Sequence, residues 1–217
     1  MPLFVRVPWW AELHGTTSDA LLELVDLMPT LIDAAGFLPQ VLSTEALDGD
    51  SFLPLLAPAN LTANEQKASV WTKEYAFSQY PRCMNSSMAK EPPYTPNRDA
   101  CCGHEPGEFT HMGLSVRSKG WRYSEWRRWD GHKCAPDWGP NATDGTELYD
   151  HRDDRTPGCF DCFEHTNVAG DAEFAEVVAQ LRQVVEGHFR KDGADAEGCP
   201  PPASAEEQAG VDMTGER

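Results

Sequence analysis

Apolar residues change spacing several times along the chain, and each spacing predicts an element. Leu3 to Val7 is a short apolar run that predicts a buried strand, and Leu21 to Val25 predicts a second extended piece. Leu27 to Ala35 predicts a helix. Asp26 is its expected N-cap, Pro29 sits in the first turn where a missing N–H does no harm, and Gly36 closes it. Leu27, Leu31 and Ala34 or Ala35 would share one face of that helix. Ser69 to Phe77, rich in Val, Trp, Thr, Tyr and Phe, predicts a strand. Met112 to Arg117 and Trp121 to Trp129 predict a hairpin joined by Ser118-Lys119-Gly120, with Leu114 and Val116 pointing one way and Ser115 and Arg117 the other. Glu147 to Asp150 predicts a short strand or strand end. Phe174, Val177, Val178, Leu181, Val184, Val185 and Phe189 follow helical spacing from an Asp171 cap to about Arg190, with Gly187 as a weak point.

The segments between these elements carry a different signal. Residues 37–68 are dense in proline, which predicts a connecting region and a subdomain boundary. Pro81 to Thr110 is a long irregular stretch with Cys83, Cys101 and Cys102, of the kind that is functional, cross-linked or disordered in compact domains. The stretch after Lys191 is acidic and free of aromatic residues, which predicts a disordered tail. Three strands, a strand end and a packing helix amount to a small α+β unit, and no internal repeat is present.

Charge then removes whole classes of partner. The formal net charge of −17 argues against nucleic acid and anionic membrane surfaces, since both need clustered Lys and Arg. No run of 18 apolar residues exists, so no membrane span is expected. Seven cysteines accompany three Asn-x-Ser/Thr sequons, at Asn60, Asn85 and Asn141, which together favour an exported, oxidising setting and candidate glycosylation at those asparagines. The odd cysteine count leaves at least one thiol free or paired outside the chain. The start of the chain is too short and too proline-bound for a signal peptide. A core strand in the first residues suggests that further polypeptide precedes it.

Ser78-Gln79-Tyr80-Pro81-Arg82, Met112-Gly113 and Trp121-Arg122-Tyr123-Ser124-Glu125-Trp126 resemble the iduronate-2-sulfatase branch of the sulfatases, members of the alkaline-phosphatase superfamily. Leu24 to Leu31 with Ala35-Gly36, and Glu147-Leu148-Tyr149-Asp150 followed by Glu164 and Asn167, are similar to segments found across that family. The resemblance covers about residues 2–170. It implies an α+β C-terminal sulfatase subdomain, a small antiparallel sheet with a packing helix. The last strand and helix of a large α/β sulfatase domain would precede it. The implied divisions are residues 1–58 for the end of the large domain, 59–190 for the subdomain and 191–217 for the tail. The loop from Cys83 to His111, and residues 155–162 with Cys159 and Cys162, depart from the branch.

The same resemblance implies hydrolysis of sulfate esters on sulfated uronic acids of glycosaminoglycans, in a lysosomal or secreted protein. In that family the nucleophile is a formylglycine made within Cys-x-Pro-x-Arg, and a calcium ion polarises the sulfate. Cys134-Ala135-Pro136-Asp137-Trp138 and Cys199-Pro200-Pro201-Pro202-Ala203 lack the required arginine, and Asp153-Asp154 reads as a solvated turn. No catalytic residue and no calcium ligand is therefore expected in this chain. Its expected partner is the N-terminal catalytic part of the same enzyme.

What remains for this chain is a wall of the substrate cleft. Tyr80 and Arg82 are the candidate substrate contacts, since a bidentate guanidinium suits carboxylate or sulfate; packing of Tyr80 and an ion pair for Arg82 are the competing roles. Arg117 and Arg122 would brace the hairpin, and Trp121, Trp126 and Trp129 would pack. A zinc site on Cys101, Cys102, His104 and His111 has unsuitable spacing. Cys159-Phe160-Asp161-Cys162 lacks the surroundings of a redox motif. A secreted, non-catalytic module that binds sulfated glycan is the alternative function.

Overall fold

The computed structural model describes residues 3–8, 10, 15–42, 45–56, 71–83, 106–152 and 164–190. Chain contacts divide into two units. One comprises Met1–Phe77 with Arg117–Lys119, the other Ser78–Val116 with Gly120–Arg217. The fold mixes helices with a curled antiparallel sheet, as an α+β chain should.

The second unit is built on the sheet. Its strands are β1 (Ala76–Arg82), β2 (His111–Arg117), β3 (Trp121–Asp130), β4 (Ala135–Pro136) and β5 (Thr143–Asp150). They run in the order β1-β2-β3-β4, with β5 also pairing β3. The hairpin forms as the alternation predicts: Leu114 and Val116 are fully buried while Ser115 and Arg117 are partly exposed. The β3–β5 pairing is antiparallel, matching Ser124 with Glu147 and Trp126 with Gly145, and a register shift falls between Trp126 and Arg127. That extra residue bends the strand and curls the sheet. Asn167 fastens the chain after β5: its Oδ1 accepts the Leu148 and Ala169 N–H groups at 3.0 Å each, and its Nδ2 donates to the Thr146 carbonyl at 3.0 Å.

The closing helix is present, as a 3-10 turn at Ala172–Phe174 and then α3 (Ala175–Phe189). Leu181 and Val185 of α3 are buried with Leu114, Val116, Tyr123 and Leu148. Each such aliphatic side chain contributes about 1.5–3 kcal/mol when fully buried. The expected Asp171 cap forms no side-chain hydrogen bond. The helix runs through Gly187 without a break.

A charged cluster lies under α3. Arg127 Nε donates to Glu125 Oε1 at 2.5 Å, Tyr123 Oη donates to Glu125 Oε2 at 3.0 Å, and Arg127 Nη1 donates to the Asp137 carbonyl at 3.0 Å. Trp138 turns its ring to the Arg127 guanidinium at 4.4 Å. Arg182 of α3 approaches Glu125 Oε2 at 3.8 Å. Burial, and then the neighbouring Glu125 charge, push the Tyr123 phenol well above its ordinary value.

The first unit departs from its expected form in three places. Residues 3–7 form no regular structure, and Leu3, Phe4 and Val5 are exposed. A strand needs a neighbour to take its backbone hydrogen bonds, and no strand of this unit lies beside it among the described residues. Leu24–Asp26 is a 3-10 turn rather than extended chain, because the Asp26 carboxylate reaches back to the Glu23 N–H at 2.7 Å. Of the strand expected at Ser69–Phe77, residues 69 and 70 lie outside the described residues, residues 71–75 are not strand, and β1 covers Ala76 and Phe77. Trp71 and Lys73 instead turn into this unit: Trp71 Nε1 donates to the Leu21 carbonyl at 3.1 Å, and Lys73 Nζ donates to Glu23 and Asp26.

Helix α1 (Leu27–Ala34) is present, followed by the short α2 (Leu38–Leu42). Gly36, at φ 78°, closes α1. Phe37 N–H returns to the Ile32 carbonyl and Gly36 N–H to the Asp33 carbonyl, so the last carbonyls of the helix are satisfied. Asp26 stands at the N-cap position, but its carboxylate makes no cap bond to α1. It accepts instead from the Glu23 and Asp50 N–H groups and from Lys73. Gly49 is required there, since a Cβ would lie 2.3 Å from the Val25 carbonyl oxygen. The anticipated apolar face of α1 is not buried: Leu31, at 67 %, Ala34 and Ala35 are exposed and Leu27 is partly so, while Pro29 and Thr30 of α1 and Asp26 before it are buried.

Candidate functional site

The two faces of the sheet differ in kind. Met112, Leu114, Val116, Tyr123 and Leu148 belong to the face under α3. The other face is set by the Ser115–Ser124 hydroxyl pair at 2.8 Å. By strand alternation it carries Tyr80 and Arg82 from β1, His111, Gly113 and Ser115 from β2, Arg122, Ser124 and Trp126 from β3, and Gly145, Glu147 and Tyr149 from β5. No helix of this unit packs on that face among the described residues.

Glycines shape its centre. A Cβ on Gly113 would lie 2.8 Å from the Trp126 ring, and one on Gly145 would lie 3.6 Å from it. The indole therefore lies down over positions that hold no side chain. Its Nε1 donates to Glu147 Oε1 at 3.3 Å, which fixes the ring in its plane.

Arg82 stands next to this indole. Its guanidinium carbon is 4.9 Å from the Tyr80 ring centre and 5.3 Å from that of Trp126. Its Nε is buried and has no hydrogen-bond partner, and no carboxylate pairs with it among the described residues. Tyr80 is 56 % exposed. The structure thus places the two sequence candidates beside each other on the open face, with a cation held by ring faces rather than by an acid.

Polar groups around them are already engaged. His111 Nε2 meets Asp144 Oδ2 at 2.7 Å and its Nδ1 meets Thr110 Oγ1 at 3.1 Å, while Thr110 Oγ1 donates to the Arg82 carbonyl at 3.0 Å. Arg122 pairs with Glu164 at 2.7 Å and lies 5.2 Å from the Tyr149 ring. Burial first, then the Glu147 charge, raise the Tyr149 phenol. Sequence reasoning named Tyr80 and Arg82 but gave Trp126 only a packing role. The glycines directly across the sheet from it were the available signal, and they gain meaning only once strand register is known.

The remaining candidates separate cleanly. Trp121 packs on Phe174 at 5.2 Å with Arg152 over it, and Trp129 packs on Phe109 at 6.1 Å and donates to the Pro106 carbonyl. Arg117 donates to the Ser118 carbonyl, bracing the hairpin turn. Cys134, the first residue of the nearest match to the formylglycine motif, is disulfide-bonded, as is Cys83. Cys101, Cys102, His104, Asp153, Asp154, Cys159, Cys162, Cys199 and the tail after Lys191 lie outside the described residues. Among the described residues no group of three or more His, Cys, Asp or Glu is placed to hold a metal ion. Among them, too, no helix is long and apolar enough to cross a membrane.

Of the three sequon asparagines, Asn60 and Asn85 also lie outside the described residues. Asn141 is exposed in the turn before β5. Expression of Asn141→Gln in a secretory host is expected to remove one glycosidase-sensitive mobility step. An unchanged step pattern on a gel would exclude glycosylation there.

No protein-family model matches the chain, and no curated protein matches it.

Proposed function

We propose that this chain is the C-terminal part of a sulfatase resembling iduronate-2-sulfatase, supplying a wall of the cleft that takes sulfated uronic acids of glycosaminoglycans. The observation that carries the reading is Arg82, a cation free of acidic partners among the described residues, beside two aromatic rings on an open sheet face. An anionic sugar offers what such a group lacks, an oxyanion for the guanidinium and a ring edge for the aromatics. The segments that resemble the branch run along β1, β2 and β3, and Glu147 to Asp150 closes β5, so the resemblance lies on the strands that build this face.

The N-terminal catalytic part is the proposed partner, and the formylglycine and calcium ligands of the family belong to it. The first unit supports this. Apart from Tyr80, the exposed large hydrophobic residues are all in that unit, and Phe52 and Pro29 are its buried apolar side chains among the described residues. A 3-10 turn with Asp26 inward and Leu24 outward, followed by a helix with Thr30 inward and Met28 and Leu31 outward, has the polarity of a segment covered by further protein. A lysosomal or secreted location accompanies the reading.

The test uses purified residues 1–217. Calcium-dependent hydrolysis of an aryl sulfate is expected to be absent, and light scattering is expected to show self-association through the uncovered face. Activity is expected when the chain is joined to an upstream segment carrying Cys-x-Pro-x-Arg and paired aspartates. Hydrolysis by the chain unaided would overturn the proposal. The core of the second unit, closed by α3, favours one other reading, a non-catalytic module for sulfated glycans. A monodisperse chain that retains such a glycan would select it.

A further inference from the structure

The pairing of β3 with β5 leaves one residue without an opposite number. Trp126 faces Gly145 and Arg127 faces Thr143, so Asp144 is the extra residue of a bulge. A bulge re-aims the side chain it inserts. Here the Asp144 carboxylate reaches across β3 to β2, where its Oδ2 lies 2.7 Å from His111 Nε2. The other ring nitrogen is engaged as well, with Nδ1 3.1 Å from Thr110 Oγ1. That hydroxyl donates to the Arg82 carbonyl at 3.0 Å, alongside the Thr110 N–H at 2.9 Å. One imidazole thereby connects the end of β1 to the bulge of β5.

Counting hydrogens decides the state of that ring. A hydroxyl has one hydrogen to give, and a carbonyl can only accept. With the Thr110 hydrogen on the Arg82 carbonyl, Oγ1 is an acceptor toward Nδ1, as the Asp144 carboxylate is toward Nε2. Both ring nitrogens then need a hydrogen, which only the imidazolium has. A neutral ring can keep the Asp144 bond only with Nδ1 as an acceptor, and Thr110 must then rotate its hydrogen off the Arg82 carbonyl. Other charged groups on the neighbouring elements point elsewhere. Arg128 of β3, opposite the ring by the Trp129–Thr110 pairing, donates to the Asn141 carbonyl. Arg82 lies against the Tyr80 and Trp126 rings, Glu147 is held by Trp126 and Tyr149, and Glu108 before β2 is exposed.

We propose that His111 is a proton-operated clasp on the open sheet face. Closed as the imidazolium, it ties the Arg82 end of β1 through Thr110 to the Asp144 bulge of β5, and it releases one side as the ring loses its proton. An imidazole changes charge between about pH 5 and 8. The stabilisation is therefore present while the ring is charged and is lost as pH rises. The strand end it secures carries Tyr80 and Arg82, and the clasp stands whatever that face binds.

Hydrogen exchange of the full chain, read by mass spectrometry at about pH 5.5 and about pH 8 and normalised to the chemical exchange rate, tests this. Peptides covering residues 76–82 and 143–147 are expected to be about fivefold better protected at the acidic pH. His111→Gln and Asp144→Asn are expected to abolish that difference in both peptides. Thr110→Val is expected to abolish it in 76–82 and leave it in 143–147. His132→Gln, at an exposed position, should change nothing. Neither should His151→Gln, whose ring meets Glu164 at 3.3 Å just past the other end of β5. Equal protection at both pH values in the unaltered chain, a difference that survives His111→Gln, or its loss in His151→Gln would overturn the proposal. If His111→Gln fails to fold, Asp144→Asn, at a half-exposed position, decides it, and a difference unchanged in that variant is equally fatal.

Discussion

Replacing Arg127 by methionine is expected to destabilise the sheet unit by about 3–5 kcal/mol, the range for removing one partner of a buried ion pair. Glu125 and Arg127 are 0 and 1 % exposed, and their contact is 2.5 Å. Without the guanidinium, the Glu125 carboxylate keeps the Tyr123 hydroxyl and the half-exposed Arg182 at 3.8 Å. The Asp137 carbonyl loses its donor and Trp138 loses the cation beside its ring. The double variant Glu125→Leu with Arg127→Met should recover much of the loss, because desolvating two charges consumes most of what their attraction returns. Chemical denaturation followed by tryptophan fluorescence measures both. A loss below about 1 kcal/mol for Arg127→Met would show that the cluster is not stabilising in the way its burial indicates.

Asp26→Ala is expected to have a comparable effect on the first unit, about 3 kcal/mol or more. One fully buried carboxylate receives the Glu23 N–H at 2.7 Å, the Asp50 N–H at 3.0 Å and Lys73 Nζ at 2.7 and 2.8 Å. Its removal leaves two backbone donors and a part-buried ammonium short of acceptors. Limited proteolysis between residues 15 and 56 would report the opening of this unit separately from the sheet. Cleavage as slow as in the parent chain would sink the idea.

The same cluster sets an alkaline limit. Burial disfavours the Lys73 ammonium, but hydrogen bonds to Asp26 and Glu23, together with their charges, outweigh it and raise its pKa above the ordinary 10.5. The folded value lies above the unfolded one, so the stabilisation is complete below pH 10.5 and is lost as pH rises through the folded value. Proteolytic protection of the first unit should fall in that window. Lys73→Met should flatten the fall while lowering protection at neutral pH. Tyr123, also raised, acts in the same direction on the sheet unit.

Local pattern made some of this fold legible. The hairpin β2–β3, the helix α3 and the Gly36 stop of α1 follow from period-2 alternation, helical spacing and a glycine free to adopt positive φ, all properties of neighbouring residues. Leu3–Val7 was misread because an apolar run states only that a segment favours burial, and burial requires a partner it does not encode. Asp26 was read as a helix cap. Its carboxylate went to Lys73 and Asp50, 47 and 24 residues away, which no local rule anticipates.

The candidate site shows the same division. Tyr80 and Arg82 stood out in the chain as a tyrosine and an arginine entering a long loop. That this arginine has rings where Arg122, Arg127, Arg152, Arg182 and Arg190 have carboxylates depended on which strands became neighbours. Alternation and helical period are written in adjacent residues, so the β2–β3 hairpin, the end of β5 and α3 came from sequence, whereas β1 over Ser78–Arg82, β4 and the start of β5 did not. The pairing of Trp126 with Gly113 and Gly145, the burial of Glu125 with Arg127, and the outward turn of Leu24, Met28 and Leu31 were decided by tertiary structure. Each is a contest between distant groups for limited buried space and limited hydrogen-bond partners, and it resolves only when the chain has folded.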